Sequence, residues 1–357
     1  MIMKTLFNAG RSQVARAQAN FPLPRWSVGG MRYLGAVSLG ALLGLGSLAQ
    51  PAWAGQTLQQ YADQCAREIG PIPAFDCNSG TIVPITVDGK EPEKYHKDMR
   101  CDRPSLLKYD AHTDGQCTPY SRISDLSYTD PAKGAVQITA FCRREWIRPI
   151  DSTYYDEVDI VLHSVKSGAT CWFHSEYKPG TTSGFDGSRV PPPNEKQPPP
   201  GKVAASQFWW QPAATAKKDC GGCHDADPFM FSPWIGQKWQ KVPTDPLGKY
   251  HHLGPDFAKW QSSSISTRDN SCVGCHRIGN RESCKSFIAW AAGLGSAPPG
   301  SSDAARQYPL SHWMPADNNQ SPAFWQNVHQ KSVKELLTCC SDPNNPICTI
   351  TPITTKK

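Results

Sequence analysis

The sequence predicts an α+β protein, with a disulfide-stapled β-rich N-terminal domain followed by a mainly α-helical one. Three observations carry this expectation. Apolar and polar side chains alternate at period two between residues 136 and 175, a proline-rich stretch at 178–202 holds almost no large apolar residue, and segments of helix-forming composition follow it. With 357 residues, 14 Cys, 32 Pro and 39% hydrophobic residues, the chain is long enough for two cores. It is too rich in Pro, Gly and Cys for a simple helical bundle or for the reducing cytosol.

Residues 1–54 hold Lys4, Arg11, Arg16, Arg25 and Arg32 and no acidic group; an apolar run at 33–49 is followed by Pro51-Ala52-Trp53-Ala54. A basic start, an apolar run and an A-x-A end read as a secretory signal cleaved after Ala54. Met31-Arg32 stands directly before the apolar run and would open a compact signal by itself, so translation from Met31 is an alternative start. The competing reading is an uncleaved anchor at the lower edge of a spanning length. After cleavage no stable membrane span is expected. The formal charge of +6 belongs mostly to the signal, because removing its five basic groups leaves the rest near +1. The charge therefore gives no argument for nucleic acid or for an acidic partner.

Residues 55–177 form the expected β-rich domain. Val136, Ile138, Ala140 and Cys142 alternate with polar or outward residues, as do Val158, Ile160 and Leu162, and Lys166-Ser167-Gly168 turns the chain into a further strand at 170–175. Six Cys lie here, Cys65, Cys77, Cys101, Cys117, Cys142 and Cys171, an even set that suggests three disulfides of unspecified pairing. Residues 178–202, with two triple-proline runs, are expected as an extended, semi-rigid linker. The alternative is a long surface strap within one domain. Residues 203–350 are expected to be mainly helical, with helix-forming segments at 213–220 and 286–294 and a helix opened by Ser321-Pro322; residues 351–357 are a tail. Cys284, Cys339, Cys340 and Cys348 make a second even set.

Two motifs carry the chemistry. Cys220-Gly221-Gly222-Cys223-His224 and Cys272-Val273-Gly274-Cys275-His276 both read C-x-x-C-H. On a helical turn two thiols three apart can each bond a porphyrin vinyl group, and the next residue is then directed at the iron. A zinc ribbon is disfavoured, since 48 residues separate Cys223 from Cys272 where roughly 15–20 are usual. A redox dithiol accounts for neither the second copy nor the His after each pair.

Over about residues 205–340 the chain thus resembles the c-type cytochromes, specifically a dihaem member. The resemblance implies a dihaem cytochrome c domain with two covalently attached haem c groups. Cys220, Cys223, Cys272 and Cys275 would form the thioethers, and His224 and His276 would be the proximal ligands. Distal ligands are argued separately. Met314, before Pro315, is the candidate for the second haem, with His312 competing; His251 or His252 is the candidate for the first. Met230, six residues from His224, is disfavoured as ligand to that haem but could reach the other, and His329 reads as a packed or solvent-facing residue. The Trp residues after 203 read as walls around the macrocycles. His96, His112, His163 and His174 show no ligand-like spacing, Asp225 and Asp227 head no calcium loop, and Lys217 and Lys218 form an ordinary basic pair.

The functional expectation is an exported dihaem cytochrome carrying electrons between protein redox partners, in the periplasm or at the cell surface. Met ligation at the second haem would raise its potential above that of a bis-His first haem. The alternative is a dihaem peroxidase-like or other periplasmic haem oxidoreductase with one open or displaceable distal site.

Overall fold

A computed structural model describes residues 55–83, 92–96, 118–177, 183–229, 248–274, 277–284, 288 and 327–353. The expected signal at 1–54 and two of the ten disulfide candidates, Cys101 and Cys117, lie outside them.

The chain enters through helix α1, Leu58–Glu68, which starts where Thr57 and Gln60 cap each other reciprocally. Leu58, Tyr61, Ala62 and Cys65 fall on one face at helical spacing and are buried. The sheet that α1 covers has seven strands: β1 (Thr81–Ile82), β2 (Arg122–Asp125), β3 (Tyr128–Asp130), β4 (Gly134–Arg143), β6 (Glu157–Ser164), β7 (Ala169–Glu176) and β9 (His251–His252). Their order is β1-β2-β4-β6-β7-β9, with β3 also on β4. Two-residue strands β5 (Tyr154–Tyr155) and β8 (Phe185–Asp186) pair beside it.

The period-two pattern of β4, β6 and β7 sorts side chains onto two faces. Val136, Ile138, Ala140, Cys142, Val158, Ile160, Leu162, Cys171 and Phe173 share one core with the apolar face of α1. Two disulfides fix that side: Cys65–Cys171 ties α1 to β7, and Cys77–Cys142 ties a 3-10 turn to β4. The opposite face carries Arg143, Glu157, Asp159, His163, Thr170, Trp172, His174 and Glu176. On β7 that face is buried too, so the strand is covered on both sides.

The cover on the second face comes from residues after 203, and here the expectation of a mainly α-helical second half is corrected. Among the described residues that half includes three one-turn helices, α2 (Ala205–Phe208), α3 (Pro212–Thr215) and α4 (Cys220–Cys223), and helical residues at 282–284 and 288. One longer helix, α5 (Gln330–Ser341), stands beside strands β9, β10 (Ser263–Thr267) and β11 (Cys348–Pro352). The fold is mixed, with strand on both sides of residues 178–202. The physical reason is that the apolar residues here lack a sustained 3.6-residue period. Phe208, Trp209, Tyr250, Phe257 and Trp260 instead join the same core as α1 and the sheet. The Ala-rich segment at 213–220 is also cut short by Asp219, which adopts the left-handed conformation at φ 53°.

Gly168 shows how β9 reaches the sheet. It sits at φ +81°, and a Cβ there would lie 2.5 Å from the carbonyl carbon of Lys249. The bare turn therefore lets His251 N–H donate to Gly168 O at 2.9 Å and Leu253 N–H to Thr170 O at 2.9 Å. A second, smaller core packs Ile265, Cys284, Val333, Leu336 and Cys339, and the Cys284–Cys340 and Cys339–Cys348 disulfides stitch it. The expected Ser321-Pro322 opening of the last helix lies outside the described residues. No helix of the described residues is long and apolar enough to cross a membrane.

Candidate functional site

The first C-x-x-C-H motif forms α4, with Cys220 and Cys223 at its two ends and His224 N–H donating to Cys220 O at 2.8 Å. Both thiols are free and half-buried. Gly221 is required by packing rather than by its own torsion, since a Cβ would meet the Trp260 ring at 2.7 Å. The turn thus lies flat against an indole.

His224 follows directly. Its Nδ1 lies 2.9 Å from Pro228 O, which can only accept, so Nδ1 carries the proton and Nε2 keeps its lone pair. Burial holds this imidazole down to about 4, so the ring is neutral at physiological pH. A neutral His with one nitrogen anchored to a carbonyl has the form of a metal-ligating imidazole. The Trp172 ring packs edge-on against it with centroids 4.9 Å apart.

The structure separates the two distal candidates for this site. Adjacent residues of β9 face opposite ways, and His252 is the one on the His224 side, 5.8 Å from Trp172 and 5.3 Å from Trp260 between ring centroids. Its ring is fully engaged. Trp172 Nε1–H donates to Nδ1 at 3.0 Å, and Nε2 meets Ser262 Oγ at 3.1 Å. Burial, followed by the charges of His224 and His251, pushes it down to about 3, so it is neutral with its proton on Nε2. His251 faces the other way, half-buried, with a buried Nδ1 that has no hydrogen bond.

Of the second motif, Cys272 is half-buried, and its backbone N–H donates to Asn270 Oδ1 at 3.0 Å. His329 stands beside it, with Nδ1 2.9 Å from Ser271 Oγ. Cys275, His276, Met314, His312 and Met230 lie outside the described residues.

The segments flanking the two motifs are stapled together, which sequence reasoning missed. Arg281 binds Asp219 Oδ2 at 2.6 Å, its backbone N–H donates to Asp225 Oδ2 at 2.6 Å, and Ser283 hydroxyl donates to Asp225 Oδ1 at 2.6 Å. Arg277 reaches Asp227 and Gly248 O, each at 2.6 Å. Asp225 is fully buried, and burial lifts its carboxyl to about 6. Gly279 makes room for it, because a Cβ there would lie 1.8 Å from Asp225 Oδ1. Asp225 and Asp227 are therefore the acidic halves of a clasp between the motifs.

Beside α4 runs an open groove of about 510 Å³, lined by Ala216, Lys217, Asp219, Lys259, Trp260, Gln261 and Arg281. Three cations rim it, and Trp260 Nε1 is buried without a hydrogen-bond partner.

A second polar cluster adjoins Cys220. On the sheet face Glu157 pairs with Glu176 across β6–β7, and Asp159 with His174. His174 Nδ1 lies 2.8 Å from Asp159 Oδ1, Arg143 Nε lies 3.1 Å from Asp159 Oδ2, and Lys218 pairs with Glu176. Ligand-type atoms of Glu157, Asp159 and His174 all fall within 4.8 Å of one another, but Arg143 and the His174 proton supply the positive charge there. Burial pushes the His174 imidazole down; the Asp159 hydrogen bond and the Glu176 contact more than reverse this and lift it to about 9. A pKa raised on folding stabilises fully below the unfolded value near 6.5 and is lost as pH rises through 9. Thermal unfolding should therefore show stability falling by on the order of 3 kcal/mol between pH 6.5 and 9. A His174→Gln variant should flatten that slope, and an unchanged slope would reject the assignment.

Burial drives both motif thiols up, Cys220 to about 12 and Cys223 to about 11. A redox dithiol needs the opposite shift. Among the described residues Cys220, Cys223 and His224 gather no further donor into a metal-binding group. No protein-family model, curated protein or solved structure matches the chain.

Proposed function

We propose that the protein is an exported dihaem c-type cytochrome that passes electrons between protein redox partners. The observation that carries this reading is the α4 turn, with its two free thiols and a neutral His224 whose Nδ1 is tied to Pro228 O. Bound there, haem c would supply one-electron iron chemistry and stay covalently attached outside the cell. Cys220 and Cys223 would hold it and His224 would ligate it. The groove beside α4 suits such a group, since Lys217 and Lys259 match anionic propionates and Trp260 Nε1 lacks an acceptor. The Asp–Arg clasp supports placing two such sites close enough to exchange electrons. The disulfides agree with an oxidising compartment.

The test is a haem count by alkaline pyridine spectrum on the exported protein, with low-temperature spin resonance to read the axial ligands. Two covalent haems per chain are expected, and a chain isolated from a haem-attaching host with none would reject the reading.

One observation favours the enzymatic alternative, a haem oxidoreductase with an open or displaceable distal site. His252 has both ring nitrogens in hydrogen bonds, so it can ligate only by giving up one of them. Rapid carbon monoxide binding to the reduced protein at one haem would decide for it.

A further inference from the structure

We propose that electron uptake at the Cys220–His224 site draws a proton from solvent onto Glu157, so that this protein moves a proton with its electron. The inference rests on the reading of α4 as a haem-attachment turn.

The geometry begins with the sheet register. Glu157 lies opposite Glu176 on β7 and opposite Arg143 on β4, and Asp159 lies opposite His174. Two carboxylates placed directly across a buried strand pair repel each other unless cations or protons compensate. Among the described residues the charged groups around Glu157 come from five elements. From β6 itself comes Asp159; from β4, Arg143; from β7, His174 and Glu176. The 3-10 turn 216–218 contributes Lys218, and α4 contributes the Cys220 sulfur. The Trp210 ring closes the cluster over His174, with centroids 4.5 Å apart.

The cations are not shared evenly. Asp159 holds His174 at 2.8 Å and Arg143 at 3.1 Å, and Glu176 holds Lys218. Glu157 has Arg143 only at 3.8 Å and His174 at 3.7 Å, outside hydrogen-bond range. It is 7% exposed as a residue, so weak compensation coincides with near-complete burial. Burial, then the Asp159 charge, pushes its carboxyl well above the usual range. For Asp159, by contrast, burial alone would raise the carboxyl, but His174 and Arg143 outweigh it and hold it below the ordinary value. Glu157 is therefore the group that changes protonation. Its neighbour provides the route, because the Asp159 side chain is 24% exposed against 10% for Glu157.

Coupling to the attachment site follows from the shared sheet face. Lys218, the cation on Glu176, stands two residues before Cys220, and Trp172, on the same face of the sheet as Glu157, packs against the His224 ring with centroids 4.9 Å apart. Electrostatic coupling is reciprocal, so an added electron beside Cys220 raises the proton affinity of Glu157. The step balances: one electron arrives from the reduced protein partner, one solvent proton bonds to a Glu157 carboxylate oxygen, and both leave on oxidation.

The experiment is potentiometric titration of the haem-loaded chain from pH 5 to 9. The wave absent from the C220S/C223S variant should fall with pH at a slope approaching about 59 mV per unit, the one-electron equivalent of a tenfold change in proton activity. Glu157→Gln, an isosteric mimic of the protonated acid, should make that wave nearly pH-independent while haem content and absorption spectrum stay unchanged. Proton uptake on reduction of the unmodified protein in weak buffer gives the same answer without a variant. A flat potential in the unmodified chain, or a slope retained in Glu157→Gln, overturns the proposal. Absence of covalent haem overturns the haem reading instead, and the haem count is made first to separate the two.

Discussion

Replacing Cys220 and Cys223 together by Ser is expected to leave one covalent haem per chain where the proposed dihaem protein would carry two. The Cys272→Ser/Cys275→Ser pair is expected to do the same for the other. The effect is all-or-none at each motif because a thioether needs the sulfur itself, and Ser offers no substitute at the same position. Single replacements should leave the group attached through one bond and shift its pyridine spectrum. The rival readings of the motif forecast different results. A redox dithiol would show thiol reactivity at neutral pH, whereas burial pushes Cys220 to about 12 and Cys223 to about 11 and leaves almost no thiolate. A zinc site would lose metal and no haem. Mass spectrometry of the exported chain decides, and a double variant still carrying two covalent haems would end the assignment of α4 as an attachment turn.

The second large effect is on stability. Opening Cys65–Cys171 by double replacement with Ala is expected to cost about 5 kcal/mol, because the bridge closes a span of 106 residues. That is a large part of the 5–15 kcal/mol that holds a typical domain together. Removing Cys339–Cys348, which spans 9 residues, should cost only about 2.5 kcal/mol. The ranking tests the argument better than either value. Urea unfolding of the two variants should place the first midpoint well below the second, and the reverse order would show that native packing dominates over loop closure here. Cys65 and Cys171 are also buried at 1% and 0% exposure, so the Ala pair loses core contacts in the same direction.

Much of the sheet was legible in the sequence. Alternation at 136–142 and 158–162 and the Lys166-Ser167-Gly168 turn mark β4, β6 and β7, which pair as adjacent antiparallel strands. The cover over β7 was not. Strand β9 is two residues long and pairs in parallel with a strand some 80 positions earlier, a contact with no local signature. The clasp at Asp219, Asp225 and Asp227 likewise joins residues 50 to 62 apart, and nothing in the acidic residues names Arg277 or Arg281 as partners. One feature could have been read and was missed. Alternate strand residues share a face, so Glu157, Asp159, His174 and Glu176 had to lie on one side of the sheet, and four ionisable groups on a buried sheet signal a site. The helical expectation failed where composition was taken for periodicity. The Ala-rich approach to Cys220 yields one turn of α-helix and one of 3-10 before Asp219 turns left-handed.

Strand β7 has β6 on one edge, β9 on the other, α1 on one face and the Trp210–His224–Trp260 layer on the other. In cooperativity terms this makes β7 a shared keel. Neither the chain before residues 178–202 nor the chain after them can peel away without baring a strand built to be dry on both sides. Local opening near the Cys220–His224 turn is thereby tied to global unfolding, and that turn gains a rigidity that its own four-residue helix could not provide.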